Sequence, residues 1–171
     1  MPIIALIGPP AAGKTTVGEA LGGRLDIPFV DADEEIERRS GYTPESLAVD
    51  LPPQEALSIL SKTLGEILGD LPADAVIALP SRIIEVQDAG ELLSGLRVVF
   101  LDVDLATSFP RTGLGAPRPV GFVTPRSLWH QMLIERRPQY TSIADNTIDV
   151  SGATIETIVE QIVALALIKP V

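Results

Sequence analysis

Five short apolar or β-branched runs punctuate the chain, and helix-patterned segments separate them. Ile3 to Ile7, Ile27 to Asp31, Ala75 to Leu79, Leu96 to Leu101 and Asn146 to Val150 each have the length of a buried strand. The intervening pattern is helical. Thr16 to Leu21 predicts a first helix, and Glu34 to Ser40 a short charged one stopped by Gly41. Thr43 followed by Pro44 reads as a cap and first helical position. After the break at Pro52 and Pro53, Gln54 to Leu68 repeats Leu57, Leu60, Leu64, Ile67 and Leu68 at helical spacing. Shorter helical segments are expected at Val86 to Leu93 and at Asp104 to Phe109, the latter limited by Pro110. Ser127 to Arg136 and Thr154 to Ile168 complete the set, with Thr154 as the cap of the last. Residues 112 to 123 are rich in Pro and Gly and read as loop. Strands that alternate with helices predict a parallel sheet covered on both faces. No repeat or low-complexity segment interrupts this pattern.

One junction carries chemistry. Gly8, Pro9, Pro10, Ala11, Ala12, Gly13, Lys14 and Thr15 fit G-x-x-x-x-G-K-[ST], the phosphate-binding loop. It stands between the first predicted strand and the first predicted helix, the context that the motif requires. Successive backbone N–H groups and the helix N-terminus supply donors and partial positive charge for a triphosphate. Lys14 is placed to reach the β- and γ-phosphates, and the Thr15 hydroxyl to bind Mg²⁺; Thr16 follows in the first helical turn. The motif predicts ATP and Mg²⁺ as cofactors and leaves the phosphate acceptor open.

Composition narrows the setting. The chain has 171 residues, is 46% hydrophobic and carries a formal charge of −10. That size suits one domain with a proper core. That charge argues against a nucleic-acid partner, since phosphate backbones demand a basic face. Cysteine is absent, so disulfides and thiolate metal sites are excluded. No apolar run reaches 18 residues and no charged leader region precedes the first run, so a cytoplasmic protein without a membrane span is expected. Asp31 and Asp33 follow the second predicted strand, at the end where parallel sheets bind ligands. Phosphoryl transfer needs carboxylates there, to hold Mg²⁺ and to orient a nucleophile. Arg118, central in the Pro/Gly-rich loop, suits a lid that closes on developing phosphate charge. Trp129 and His130 are expected to pack, and Arg136 has both a substrate reading and a reading as partner of Glu135 or another acid.

The order and spacing of these segments resemble the shikimate kinase family over nearly the full length. Lys14 to Gly18 with Leu21, Phe29 to Glu37, Gly41, Arg118 with Pro119, and Glu135 to Pro138 with Tyr140, Ala144 and Asp145 carry the resemblance. It implies an α/β P-loop NTPase of the nucleoside-monophosphate-kinase-like class: five parallel strands in the order 2-3-1-4-5, helices on both faces, a single domain over residues 1–171 and a lid at about 112–123. It implies transfer of the ATP γ-phosphate to a hydroxyl of shikimate or a related hydroxy acid, by a monomer. By the same resemblance Asp31 holds Mg²⁺ through water, and Asp33 binds the acceptor and orients or deprotonates its hydroxyl. Arg118 closes over the phosphates. Arg136 contacts the acceptor's carboxylate. Arg111 stacks on adenine, opposite a wall of Thr154 and Ile155.

Three departures qualify the resemblance. The family has an arginine in an F-R-x-x-E stretch on the helix after the second strand. Here that stretch is Pro52 to Leu57, and no arginine occurs between Arg39 and Arg82. The family has T-G-G-G after the third strand, where this chain has Leu79, Pro80, Ser81 and Arg82. Ser81 and Arg82 are therefore candidate acceptor contacts, Arg82 as a replacement anion contact or as a loop arginine. Ala11 stands where the family loop has a third glycine. Two other readings stay open: a nucleotide-binding protein without strong activity, or a kinase for a different acceptor such as a gluconate-like sugar acid.

Overall fold

A computed structural model describes residues 2–114 and 124–167. Its sheet has five parallel strands in the order β2-β3-β1-β4-β5: β1 Ile4–Ile7, β2 Phe29–Asp31, β3 Val76–Ala78, β4 Arg97–Asp102 and β5 Asn146–Asp149. Among the described residues eight α-helices accompany them: α1 Lys14–Leu25, α2 Ala32–Ser40, α3 Pro44–Val49, α4 Pro53–Asp70, α5 Ala89–Leu92, α6 Leu105–Ser108, α7 Pro125–Ile143 and α8 Ile155–Leu167. The expected strand order and alternation are those observed.

The central strands β1 and β3 are apolar and buried at every position because both faces of the sheet are covered there. Successive side chains of a strand point to opposite faces. Ile4 and Leu6 therefore join Leu21, Ile158 and Ile162 of α1 and α8 on one side. Ala5 and Ile7 join Ile36, Leu60 and Leu64 of α2 and α4 on the other. Helix α1 approaches β2 closely: a Cβ on Gly18 would lie 2.2 Å from the Phe29 ring.

Helix α7 differs most from its expected length. The expected helix ends at Arg136, two residues before Pro138, which lacks the N–H that an α-helix needs. The helix instead runs through Pro138 to Ile143. Burial of Tyr140, stacked on Phe100 at 5.1 Å, holds its last turns against the sheet. The Gln139 side chain also donates to the Glu135 carbonyl at 3.2 Å. Asp145 then opens β5 by pairing twice with Val98: its amide donates to the Val98 carbonyl, and its carboxylate accepts from the Val98 amide at 2.7 Å.

All five strands point their C-terminal ends toward one edge. The loop after β1, the turn into α2, the segment after β3 and the start of α8 all leave from that edge.

Candidate active site

The loop from Gly8 to Gly13 needs backbone that side chains disfavour. Gly13 sits in the left-handed region at φ 86°, and a Cβ on Gly8 would approach the Leu101 carbonyl oxygen to 2.8 Å. Ala11 also has positive φ, 65°. The family glycine at this position thus has a conformational reason, and alanine here carries a strain of about 1 kcal/mol. Ala12 is buried, Pro9 is buried and Pro10 is exposed.

At the mouth of α1, Lys14 Nζ donates to the Gly8 and Pro9 carbonyls at 2.8 and 3.1 Å. Burial pulls its pKa down to about 8, against the opposing pull of Asp33 and Asp31. Thr15 donates its hydroxyl proton to Asp31 Oδ2 at 2.6 Å. Asp31 Oδ1 accepts from the Asp33 amide at 2.9 Å, so the carboxylate caps α2. The two expected metal-binding side chains therefore touch across 16 positions of sequence. Both offer oxygen, the donor type that Mg²⁺ takes. Among the described residues, no group of three or more His, Cys, Asp or Glu is disposed to hold a metal. A hydroxyl and a single carboxylate fit an ion that keeps waters and binds phosphate oxygens. Thr16 is exposed at the start of α1.

Asp33 lines a cleft of about 260 Å³ with Glu45, Pro80, Ser81, Arg82 and apolar side chains that include Leu60. Burial raises its pKa to about 6. Lys14 opposes that rise, while Asp31 and Glu45 add to it. Pro80, Ser81 and Arg82 reach this cleft because a 3₁₀ turn, Ser81–Glu85, replaces the expected loop. Arg82 is not a free loop arginine. Its Nε and Nη2 meet Glu85 Oε2 at 3.0 and 2.9 Å. Arg136 pairs with Glu85 at 3.3 Å, while Glu135 accepts from Gln131. Glu85, 51 positions before Arg136, was not among the expected residues. Its spacing of three from Arg82 is the one local signal that marks it.

Tyr140 fastens this turn. Its hydroxyl donates to the Ser81 carbonyl at 2.6 Å, and burial raises its pKa to about 12. Tyr140→Phe keeps the ring stack on Phe100 and removes only the donor. We expect it to lower unfolding stability by about 1 kcal/mol, the net worth of a hydrogen bond to a half-buried carbonyl. Equilibrium denaturation measures this, and an unchanged midpoint would show that the turn does not depend on the bond.

Arg111 and residues at the start of α8 are those expected beside the nucleotide. Arg111 reaches the phosphate loop, with Nη1 donating to the Ala11 carbonyl at 3.1 Å. Thr154 caps α8 by accepting from the Thr157 amide at 3.2 Å, and Ile155 packs in the cluster that includes Ala12. Arg118 and most of the expected lid lie outside the described residues. On α7, Trp129 packs and donates to the buried Ser108 hydroxyl at 2.9 Å. His130 does not pack as expected; it is exposed.

Known proteins resemble the chain over nearly its whole length. The family model described as shikimate kinase matches residues 10–166. The shikimate kinase of Thermobifida fusca (strain YX) is 38% identical over 161 residues, 94% of this chain and 92% of that protein. The shikimate kinase of Salinispora arenicola (strain CNS-205) is 33% identical over 96% of this chain and 97% of its own length. Among solved structures, the shikimate kinase from Acinetobacter baumannii in complex with shikimate superposes with a TM-score of 0.81 at 29% identity, covering 98% of this chain and 93% of that one. With the family model matched over residues 10–166 and the sheet order in agreement, the chain belongs to the shikimate kinase family and is a phosphotransferase that acts on a hydroxyl group.

Proposed function

We propose that the protein transfers the γ-phosphate of Mg·ATP to a hydroxyl of shikimate or a related hydroxy acid. The observation that carries this reading is the place of Asp33. It lines a cleft deep enough for a small acceptor, while its charge couples to Lys14 of the phosphate loop. The acceptor and phosphate sites therefore meet at this carboxylate.

In the proposed reaction, Asp33 accepts the proton of the attacking hydroxyl. The acceptor oxygen bonds to the γ-phosphorus as the bond to the bridging oxygen breaks, and ADP leaves. A pKa of about 6 leaves Asp33 mostly ionised at neutral pH and still basic enough to take that proton. Residues 8 to 16 hold the phosphates, with Lys14 placing its charge beside them. Thr15 and Asp31 would hold Mg²⁺, which when bound neutralises charge on the phosphate oxygens. Arg111, Thr154 and Ile155 would border the adenine. Arg118 would close over the phosphates from the lid, and Arg136, Ser81 and Arg82 would contact the acceptor. We take the active protein to be a cytoplasmic monomer, with neither nucleic acid nor membrane as a partner. No helix among the described residues is long and apolar enough to cross a membrane.

One observation favours a second reading, a kinase for a different acceptor. Pro80 offers no amide donor to the cleft, and Leu60 makes its wall apolar. ATP consumption measured over shikimate, gluconate and related hydroxy acids tests both. Turnover with shikimate supports the first reading, and turnover with another compound alone supports the second. Tight ATP binding without turnover of any acceptor would overturn both.

A further inference from the structure

Among the described residues that line the Asp33 cleft, one is a cation, and that cation is not spent on the aspartate. The charges that act on Asp33 are Lys14, Asp31 and Glu45. Arg82 lines the same cleft but turns its Nε and Nη2 to Glu85. Arg136 reaches Glu85 from α7, at the other carboxylate oxygen. Two guanidiniums thus share one carboxylate, and the group keeps a formal charge of +1. Their side chains are only 24% and 28% exposed, and that of Glu85 31%, so water screens this charge incompletely. A second carboxylate would neutralise it. Nη1 of Arg82 stands outside the Glu85 pair and remains a donor, in the planar geometry that suits carboxylates.

Tyr140 and Glu85 keep the arginine in place from two directions. The tyrosine hydroxyl fixes the carbonyl of the preceding residue, Ser81, and the glutamate fixes the guanidinium. The cleft wall between the charged groups is apolar, with Ile36, Leu47 and Leu60. An acceptor that presents an acid group at one place and a hydroxyl at another matches this distribution of charge.

We propose that Arg82 sets the acceptor specificity of this enzyme for a carboxylate: the acid group of the acceptor docks on Arg82 within the Arg82–Glu85–Arg136 cluster, which places its hydroxyl at Asp33. This rests on the kinase reading above.

Matched pairs test it. Shikimate is compared with its carboxamide, and gluconate with gluconamide, in wild-type protein, Arg82→Ala and Arg82→Lys at saturating Mg·ATP. The amides keep every hydroxyl and lose only the charge. Wild type is expected to prefer the acid by kcat/KM. Arg82→Ala should cut that preference by about tenfold or more, the loss of one charge-assisted contact. The change should lie in KM for the acid, with KM for the amide and for ATP unmoved. Arg82→Lys, which keeps the charge without the fork, should retain part of the preference. An undiminished preference in Arg82→Ala, or an equal loss for acid and amide, would overturn the inference and leave the kinase reading standing. Turnover of the amides as fast as the acids by wild type would do the same. No phosphorylation of any of these acceptors by wild type would overturn both.

Discussion

Lys14→Ala and Thr15→Ala should each lose about 10²-fold or more of Mg·ATP-dependent turnover, the scale for removing a group that meets transition-state charge. Neither side chain belongs to the core. Thr15 is exposed, and Lys14 sits at the edge of the loop with its ammonium on two loop carbonyls. Removing Lys14 forfeits those two bonds but also removes a cation that burial disfavours, as its pKa of about 8 records. The two effects oppose, so the thermal midpoint should move little. Thr15→Ala frees Asp31 Oδ2 but leaves Oδ1 on the Asp33 amide, so α2 keeps its cap. Steady-state ATP hydrolysis or transfer, measured beside thermal unfolding, checks both variants. Wild-type turnover in either would remove the phosphate loop from the mechanism, and collapse of the fold would show a structural task instead.

The parts of this site that can be read without coordinates are those that chemistry makes local. The phosphate loop is legible because donors aimed at one anion need consecutive residues, and two of its positions need glycine. The central strands are legible because a sheet covered on both faces needs apolar residues at every position, as Ile4–Ile7 and Val76–Ala78 show. Thr43 and Thr154 are legible as caps because a cap acts within three residues: Thr43 accepts from the Ser46 amide and Thr154 from the Thr157 amide.

What local pattern hides is what tertiary burial decides. Pro138 signals an end to α7, yet the stack of Tyr140 on Phe100 carries the helix past it. Ala11 carries no mark of a left-handed backbone, since that conformation is imposed by the loop around it. The loss of an arginine from the helix after β2 suggests a weakened acceptor site. The cleft holds a cation from a different element, the 3₁₀ turn after β3, and Glu85 joins it to Arg136 only through the fold.

Asp33→Asn separates the chemistry of the site from its stability. As general base or orienting group, Asp33 should contribute about 10²–10⁴-fold to turnover, and the asparagine should lose that factor while ATP binding persists. Stability should move the other way. Burial is the main reason that the folded pKa, about 6, exceeds the ordinary carboxyl value of 3.8. The folded state therefore holds this proton more tightly than the unfolded chain. Above pH 6 the carboxyl is ionised in both states, and its charge penalises folding. Between about pH 6 and 3.8 the penalty shrinks, and below 3.8 it is gone, because both states are then protonated. Asn carries no such penalty, so the nucleotide-free variant should melt higher than wild type at pH 7, with the gap closing as pH falls through 6. Lys14 loses a counter-charge in the variant, which trims the gain without reversing it, since the lysine can release its proton more readily once Asp33 no longer opposes burial. Glu45→Gln should move the Asp33 titration downward, because Glu45 adds to its rise. Thermal unfolding across pH 4 to 8, alongside turnover, decides the matter. Equal melting curves at every pH would mean that Asp33 is not held in the buried setting described, and wild-type turnover in Asp33→Asn would move the acceptor's hydroxyl to another residue.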